Sequence, residues 1–213
     1  MHILFLNQHD FSENHGYLMK GVIEKLLQDG HTLEYACYSS NKDSDENFQE
    51  ENKNLILKKI RVSSPQTYKN IFRIIDMIYF CLYSFFYYLF KKKNFDYVVV
   101  ASSHIVFLGL TGLILSKIHN AKFIYRVEDL TINNELNSKG IKNILLLPYF
   151  YLEKFVYYSA YKILTLSDDM IFSINEIYSK PLNNIQKIPN LPRTTKKIDD
   201  EISHSIFEKD KDT

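Results

Sequence analysis

Two adjacent carboxylates, Glu128 and Asp129, directly follow an apolar run that contains Arg126. Such a pair at the end of a buried strand suits acid-base work, since one carboxylate can orient an acceptor hydroxyl or take its proton. Asp129 fits equally well as the cap of the next turn, and both readings stand on spacing alone. His104 is a candidate acid, base or hydrogen-bond donor, or else a residue at a helix entry. Its neighbours Ser102 and Ser103 are binding candidates, but Ser103 lacks the G-x-S-x-G elbow of a hydrolase nucleophile. Glu13, His15 and Gly16 lie where a polar loop enters a helical pattern. There a glycine lets backbone approach a ligand, and the N–H groups of a helix start favour an anion such as a diphosphate; a structural junction glycine reads the same way.

Other chemistries lack their residues. Neither G-x-G-x-x-G nor G-K-[ST] occurs, so dinucleotide and NTP-binding readings lose their main support. Asp43-Ser44-Asp45 and Asp210-Lys211-Asp212 resemble cation-binding carboxylate pairs but sit in polar segments, and no metal site is assigned. Cys37 and Cys81 are too few and too far apart for a disulfide framework or a zinc cluster, which fits a reducing, cytosolic setting. Lys+Arg 26 against Asp+Glu 25 gives a net charge of +1, so no global field recommends nucleic acid as a partner. The apolar N-terminus stops at Asn7, too short for a secretory signal.

The elements that must position these residues follow from periodicity. Residues 3–6 read as a strand, a loop runs to 15, and Tyr17, Leu18, Val22, Ile23, Leu26 and Leu27 recur at helical spacing up to Gly30. Strands are expected at 32–38, 55–62, 95–101, 122–127, 161–166 and 185–188, and helices from 71, over 106–119 and over 142–159. Residues 41–54 are almost wholly polar and read as an exposed connection. This alternation predicts an α/β fold: a Rossmann-like parallel sheet flanked by helices, with binding groups at the carboxyl ends of strands. Four loops are thereby selected, at 7–16, 102–104, 128–133 and 167–170. Residues 1–192 form the expected domain, and 193–213 a charged, disordered tail.

The chain holds 16 Tyr and 15 Phe but no Trp, much of it concentrated at 79–90 and 149–161. The helix from Ile71 is apolar nearly all round, yet its uncharged stretch of 14 residues (77–90) is shorter than the ~20 needed to span a bilayer. Two readings stand: a helix packed between sheet and neighbours, or a membrane-surface helix whose Lys91-Lys92-Lys93 meets anionic headgroups.

Four segments together resemble bacterial glycosyltransferase family 4, the retaining GT-B enzymes. They are Ile3-Leu4-Phe5-Leu6-Asn7-Gln8 with Glu13-Asn14-His15-Gly16 and Gly30-His31; Asp96 to Ser103 with Phe107-Leu108-Gly109-Leu110-Thr111-Gly112; Phe123 to Leu130; and Leu164 to Met170 with Lys187-Ile188-Pro189-Asn190. The likeness is nearest to enzymes that build capsule, O-antigen or exopolysaccharide units on a lipid carrier. It implies hexosyl transfer from a nucleotide-sugar donor, used as substrate rather than cofactor and without a metal. It also implies a lipid-linked saccharide as acceptor, met at the cytoplasmic membrane face through residues 71–93. By position in that pattern, the Gly16 loop lies near the donor phosphates, and His104 and Asp129 line the acceptor side. Where many relatives continue with Trp-Pro-Glu, this chain has Thr131-Ile132-Asn133, which implies a changed cleft wall. The resemblance covers only the N-terminal half of the GT-B fold. It therefore implies that catalysis needs a donor-binding partner subunit, with a truncated, non-catalytic binding module as the alternative. A stand-alone hydrolase or reductase lacks its expected motif.

Overall fold

Apolar spacing of two kinds takes turns along the chain, and each kind dictates one element. Where β-branched and aromatic residues run together, as in 97–102, the backbone extends; where apolar residues recur every three or four positions, it coils. The computed structural model describes residues 1–7, 14–39, 53–61, 70–92, 94–102, 106–128, 142–178 and 182–188. Seven strands among them form one parallel sheet: β1 (His2–Asn7), β2 (Thr32–Ser39), β3 (Leu55–Arg61), β4 (Tyr97–Ser102), β5 (Lys122–Val127), β6 (Lys162–Thr165) and β7 (Ile185–Lys187). Five helices lie among the described residues: α1 (Asn14–Gln28), α2 (Asn70–Leu89), α3 (Val106–Ile118), α4 (Lys142–Ser159) and α5 (Asp168–Tyr178). None is long and apolar enough to cross a membrane.

The strand order is β3-β2-β1-β4-β5-β6-β7, so the direction of travel reverses between β1 and β4. Right-handed crossovers on either side of that reversal place their helices on opposite faces. Ile3, Phe5, Leu33, Tyr35, Val99 and Ile124 accordingly pack with Val22, Ile23 and Leu26 of α1. The alternate residues Leu4, Leu6, Val100, Phe123 and Tyr125 pack with α2, α3, α4 and α5.

Glycine sets the closest helix-to-sheet approach. A Cβ on Gly112 would lie 2.2 Å from Cγ2 of Val100 and 3.1 Å from Phe123, and one on Gly109 would lie 3.1 Å from both Tyr125 and Val156. Gly30 serves a turn instead. At φ +79° it closes α1 in a Schellman motif, in which its N–H reaches Leu27 O and that of His31 reaches Leu26 O.

Helix α2 is packed along one side only. Phe80, Ser84 and Tyr88 are fully buried, whereas Ile75, Tyr79, Leu82 and Phe86 on the opposite side are about half exposed. Its carboxyl end is pinned, because Nε2 of His119 donates to Tyr88 O at 2.9 Å and Lys91 pairs with the fully buried Glu34. The headgroup reading of the three lysines fails for Lys91. It turns inward, because the Glu34 carboxylate inside the sheet needs a counter-charge.

Other boundaries differ for local reasons. The strand expected from 95 begins at Tyr97, since Asp96 is engaged at the start of β1, where its carboxylate accepts the His2 N–H at 2.7 Å. The expected loop at 167–170 is a helix start: Ser167 caps α5 by accepting the Met170 N–H at 3.2 Å, and Asp168 in its first turn pairs with Lys187. The tail at 193–213 and most of the connection at 41–54 lie outside the described residues.

Two stability outcomes follow. Val100 sits in the middle of the sheet and cannot yield, so Gly112→Ala is expected to lower the unfolding free energy by about 1–3 kcal/mol in urea titrations. Glu153 of α4 points inward and accepts the Tyr178 O–H at 2.6 Å. Burial pushes its carboxyl up to about 7 from an ordinary 4.5, against the opposing effect of that hydrogen bond. The folded chain thus keeps a proton that the unfolded chain has released, and stability falls as pH rises from about 4.5 to about 7, by up to about 3 kcal/mol. Glu153→Gln keeps an acceptor for Tyr178 but has no proton to lose, so the wild-type minus variant difference in thermal unfolding should show that slope.

Candidate functional site

The reversal between β1 and β4 opens a crevice at the carboxyl ends of the strands. On the α1 face of that edge the apolar pattern gives way to polar side chains. Asn7 ends β1 and is 1% exposed; its Nδ2 donates to the hydroxyl of the buried Tyr35 on β2 at 2.7 Å. Two strands away, Arg126 on β5 is likewise buried. Asn7 and Arg126 are both in register with Ala101 of β4, so the three residues form a row across the sheet with the smallest at its centre. Adjacent strands lie about 4.8 Å apart, which places the backbones of Asn7 and Arg126 about 10 Å from each other.

Glu128 lies two residues beyond Arg126, and its side chain is 7% exposed. Its Oε1 stands 3.9 Å from Nε of Arg126, and neither carboxylate oxygen accepts a hydrogen bond among the described residues. Burial pushes the Arg126 guanidinium below its ordinary value, while Glu128 and Tyr35 act in the opposite direction. An arginine stays charged even so. The carboxylate therefore sits beside the guanidinium in a water-poor position, with both of its oxygens closed off from solvent.

Of the residues selected from sequence, the structure brings together Arg126 and Glu128. Ser102 is the last residue of β4 and pairs with Val127. His15 and Gly16 lie in the first turn of α1. Glu13, Ser103, His104 and Asp129 fall outside the described residues. No group of three or more His, Cys, Asp and Glu able to hold a metal ion occurs among the described residues. Sequence reasoning missed Asn7 as a site residue and Tyr35 altogether. The available signal was a polar residue closing an apolar strand, and a tyrosine at an inward position of its parallel neighbour. It also missed Tyr149 of α4, whose hydroxyl accepts the Val106 N–H at 3.1 Å and so ties down the first turn of α3 beside the crevice.

Removing one member of a buried ion pair leaves the other uncompensated. Arg126→Met is expected to cost about 3–5 kcal/mol of unfolding free energy, and the double variant Arg126→Met/Glu128→Leu to recover most of it. Urea denaturation of the single and double variants measures this coupling.

No family model matches the chain, and no curated protein sequence matches it. Among solved structures, the chain is similar to Arabidopsis thaliana UGT89C1 complexed with UDP, at 11% identity and a TM-score of 0.60, over 90% of this chain and 53% of that one. It is also similar to Phytolacca americana UGT2 complexed with UDP-2fluoro-glucose and pterostilbene, at 6% identity and a TM-score of 0.57, over 92% of this chain and 55% of that one. A third likeness is to LpCGTa in complex with UDP, at 8% identity and a TM-score of 0.52, over 91% and 55% of the respective chains. The chain thus spans about half the length of the structures it matches. At these identities the likeness establishes the fold: a parallel α/β sheet that matches one Rossmann-like half of a GT-B glycosyltransferase.

Proposed function

We propose that this chain supplies the acceptor-binding half of a retaining, nucleotide-sugar-dependent glycosyltransferase. The observation that carries this reading is the buried Glu128 carboxylate beside Arg126 at the carboxyl edge of a GT-B-like half domain, with both oxygens lacking hydrogen bonds among the described residues. A sugar hydroxyl is a donor of the kind such a carboxylate accepts. In the reaction, the bond from the anomeric carbon to the nucleotide's phosphate oxygen breaks, and a bond from the acceptor oxygen to that carbon forms. The hydroxyl proton passes to a carboxylate or to the departing phosphate. In this reading Glu128 or Asp129 orients the hydroxyl, His104 serves the acceptor as the family resemblance implies, and the α1 start with Gly16 serves the donor phosphates. The solved structures of UGT89C1 and LpCGTa with UDP support a nucleotide-linked donor.

The acceptor in this reading is a lipid-linked saccharide of surface-polysaccharide synthesis, reached from the cytoplasmic face by peripheral contact through residues 71–93. A two-substrate transfer needs both substrates held at once, so the donor-binding half must be present for activity, on a further stretch of chain or on a partner subunit.

The test is label transfer from a panel of radiolabelled nucleotide sugars into lipid extract, by membranes containing this chain with and without its neighbouring gene products. Transfer that requires both this chain and a donor-binding half is the expected outcome, with Glu128→Gln lowering the rate about 100-fold. Absence of transfer in every combination, with folded protein present, would sink the enzymatic reading and leave a non-catalytic binding module.

A further inference from the structure

A charge pair at 3.9 Å is too long to be a hydrogen bond, so Glu128 by itself does not fix the direction of the Arg126 guanidinium. Another group must orient it if the carboxylate is to keep one position. A guanidinium is a planar fork of N–H donors, and the acceptors set around it decide where it points. Burial opposes the Arg126 charge, and Glu128 and Tyr35 favour it. Tyr35 is therefore the place to look.

In the register of β2 with β1, Tyr35 stands opposite Phe5, one inward position before Asn7. Its hydroxyl nevertheless meets the Asn7 amide at 2.7 Å, so the ring runs along the sheet and delivers its oxygen to the level of Asn7, Ala101 and Arg126. Between Asn7 and Arg126 the side chain of Ala101 is a single methyl group, which leaves room over β4 for the longer side chains on either side. Asn7 donates through Nδ2 and carries Oδ1 as an acceptor, and the Tyr35 oxygen has two lone pairs. Both are acceptors of the kind a guanidinium takes. Neither residue is what an apolar core would select. They bury an amide and a hydroxyl on the sheet face where Phe5, Val99 and Ile124 form the core, and a polar group there costs free energy unless it is paired.

We infer that Asn7 and Tyr35 are positioning residues, which hold the Arg126 guanidinium across the gap above Ala101 and through it fix the Glu128 carboxylate. The device runs across four neighbouring strands, β2, β1, β4 and β5, so the carboxylate takes its place from the interior of the sheet. For its purpose the inference rests on the acceptor reading of Glu128. Its first readout uses no sugar, so the two can fail separately.

The chain holds four arginines, so the full chain made with isotope-labelled arginine gives a short set of side-chain Nε–H signals in nuclear magnetic resonance, and the one that Arg126→Lys removes belongs to Arg126. A held guanidinium is expected to show a slowly exchanging Nε–H and separate Nη resonances. Tyr35→Phe removes one oxygen, and Asn7→Leu keeps the volume. Each should speed exchange of the Arg126 Nε–H about ten-fold or more and merge its Nη resonances, with circular dichroism unchanged. Ala101→Val fills the gap with a branched side chain and should act in the same way without removing a polar group. In the transfer assay, with the donor-binding half supplied, Tyr35→Phe should lower kcat about ten-fold and leave the KM for the nucleotide sugar unchanged. The inference is overturned by an Arg126 signal that neither Tyr35→Phe nor Asn7→Leu moves. It is also overturned if kcat per folded molecule stays at the wild-type value in Tyr35→Phe, because the hydroxyl then serves stability alone. A guanidinium that both variants release, in a chain that transfers no sugar, supports the network and removes the acceptor reading.

Discussion

A parallel sheet has both faces buried, and its strands are joined only by crossovers that run above or below it. That requirement, met with right-handed connections and a reversal between β1 and β4, governs the rest of this molecule. It assigns α1 to one face and the four later helices to the other. It brings the ends of β1, β4 and β5 together at the edge where Asn7, Ala101 and Arg126 share a row. The approach of Gly112 to Val100 lies one residue pair from this row, so a close helix-to-sheet contact stands next to the polar row.

Burying Arg126 and Glu128 is expensive, and an apolar pair of similar size would serve stability as well or better. The charged pair stands at the carboxyl ends of the strands, the edge to which the proposed acceptor site belongs. The guanidinium stands beside the carboxylate, whose oxygens are closed off from solvent. A similar logic without a crevice operates at the other end of the sheet. There Glu34, wholly buried on β2, is met by Lys91 and faces His2 at 3.3 Å. That pair anchors the chain leaving α2, so the aromatic helix is held at its carboxyl end by an ion pair as well as by packing.

The aromatic excess divides in two. Tyr125, Tyr157, Phe150 and Tyr178 meet edge-to-face or tilted at centroid separations of 5.2–5.5 Å, locking α4 and α5 to β5. Tyr79, Phe86, Tyr151 and Phe155 are exposed on the outer sides of α2 and α4. One residue class thus fills the interior and covers part of the exterior, and the orientation of each helix separates the two.

The local physics of the chain determined the α/β alternation, since the period of apolar residues changes from two to about 3.6 wherever strand gives way to helix. It also placed Arg126 and Glu128 at a strand end, because a buried run must stop where charge begins. Tertiary structure alone decided what these residues meet. Tyr35 is 28 positions from the Asn7 that donates to it, and Lys91 is 57 positions from Glu34, so no local spacing links them. In the same way, a helix that is apolar nearly all round carries no internal mark of which side faces the sheet. Phe80, Ser84 and Tyr88 were chosen as the inner side of α2 by β-strands distant in sequence, and that choice left Leu82 and Phe86 outside.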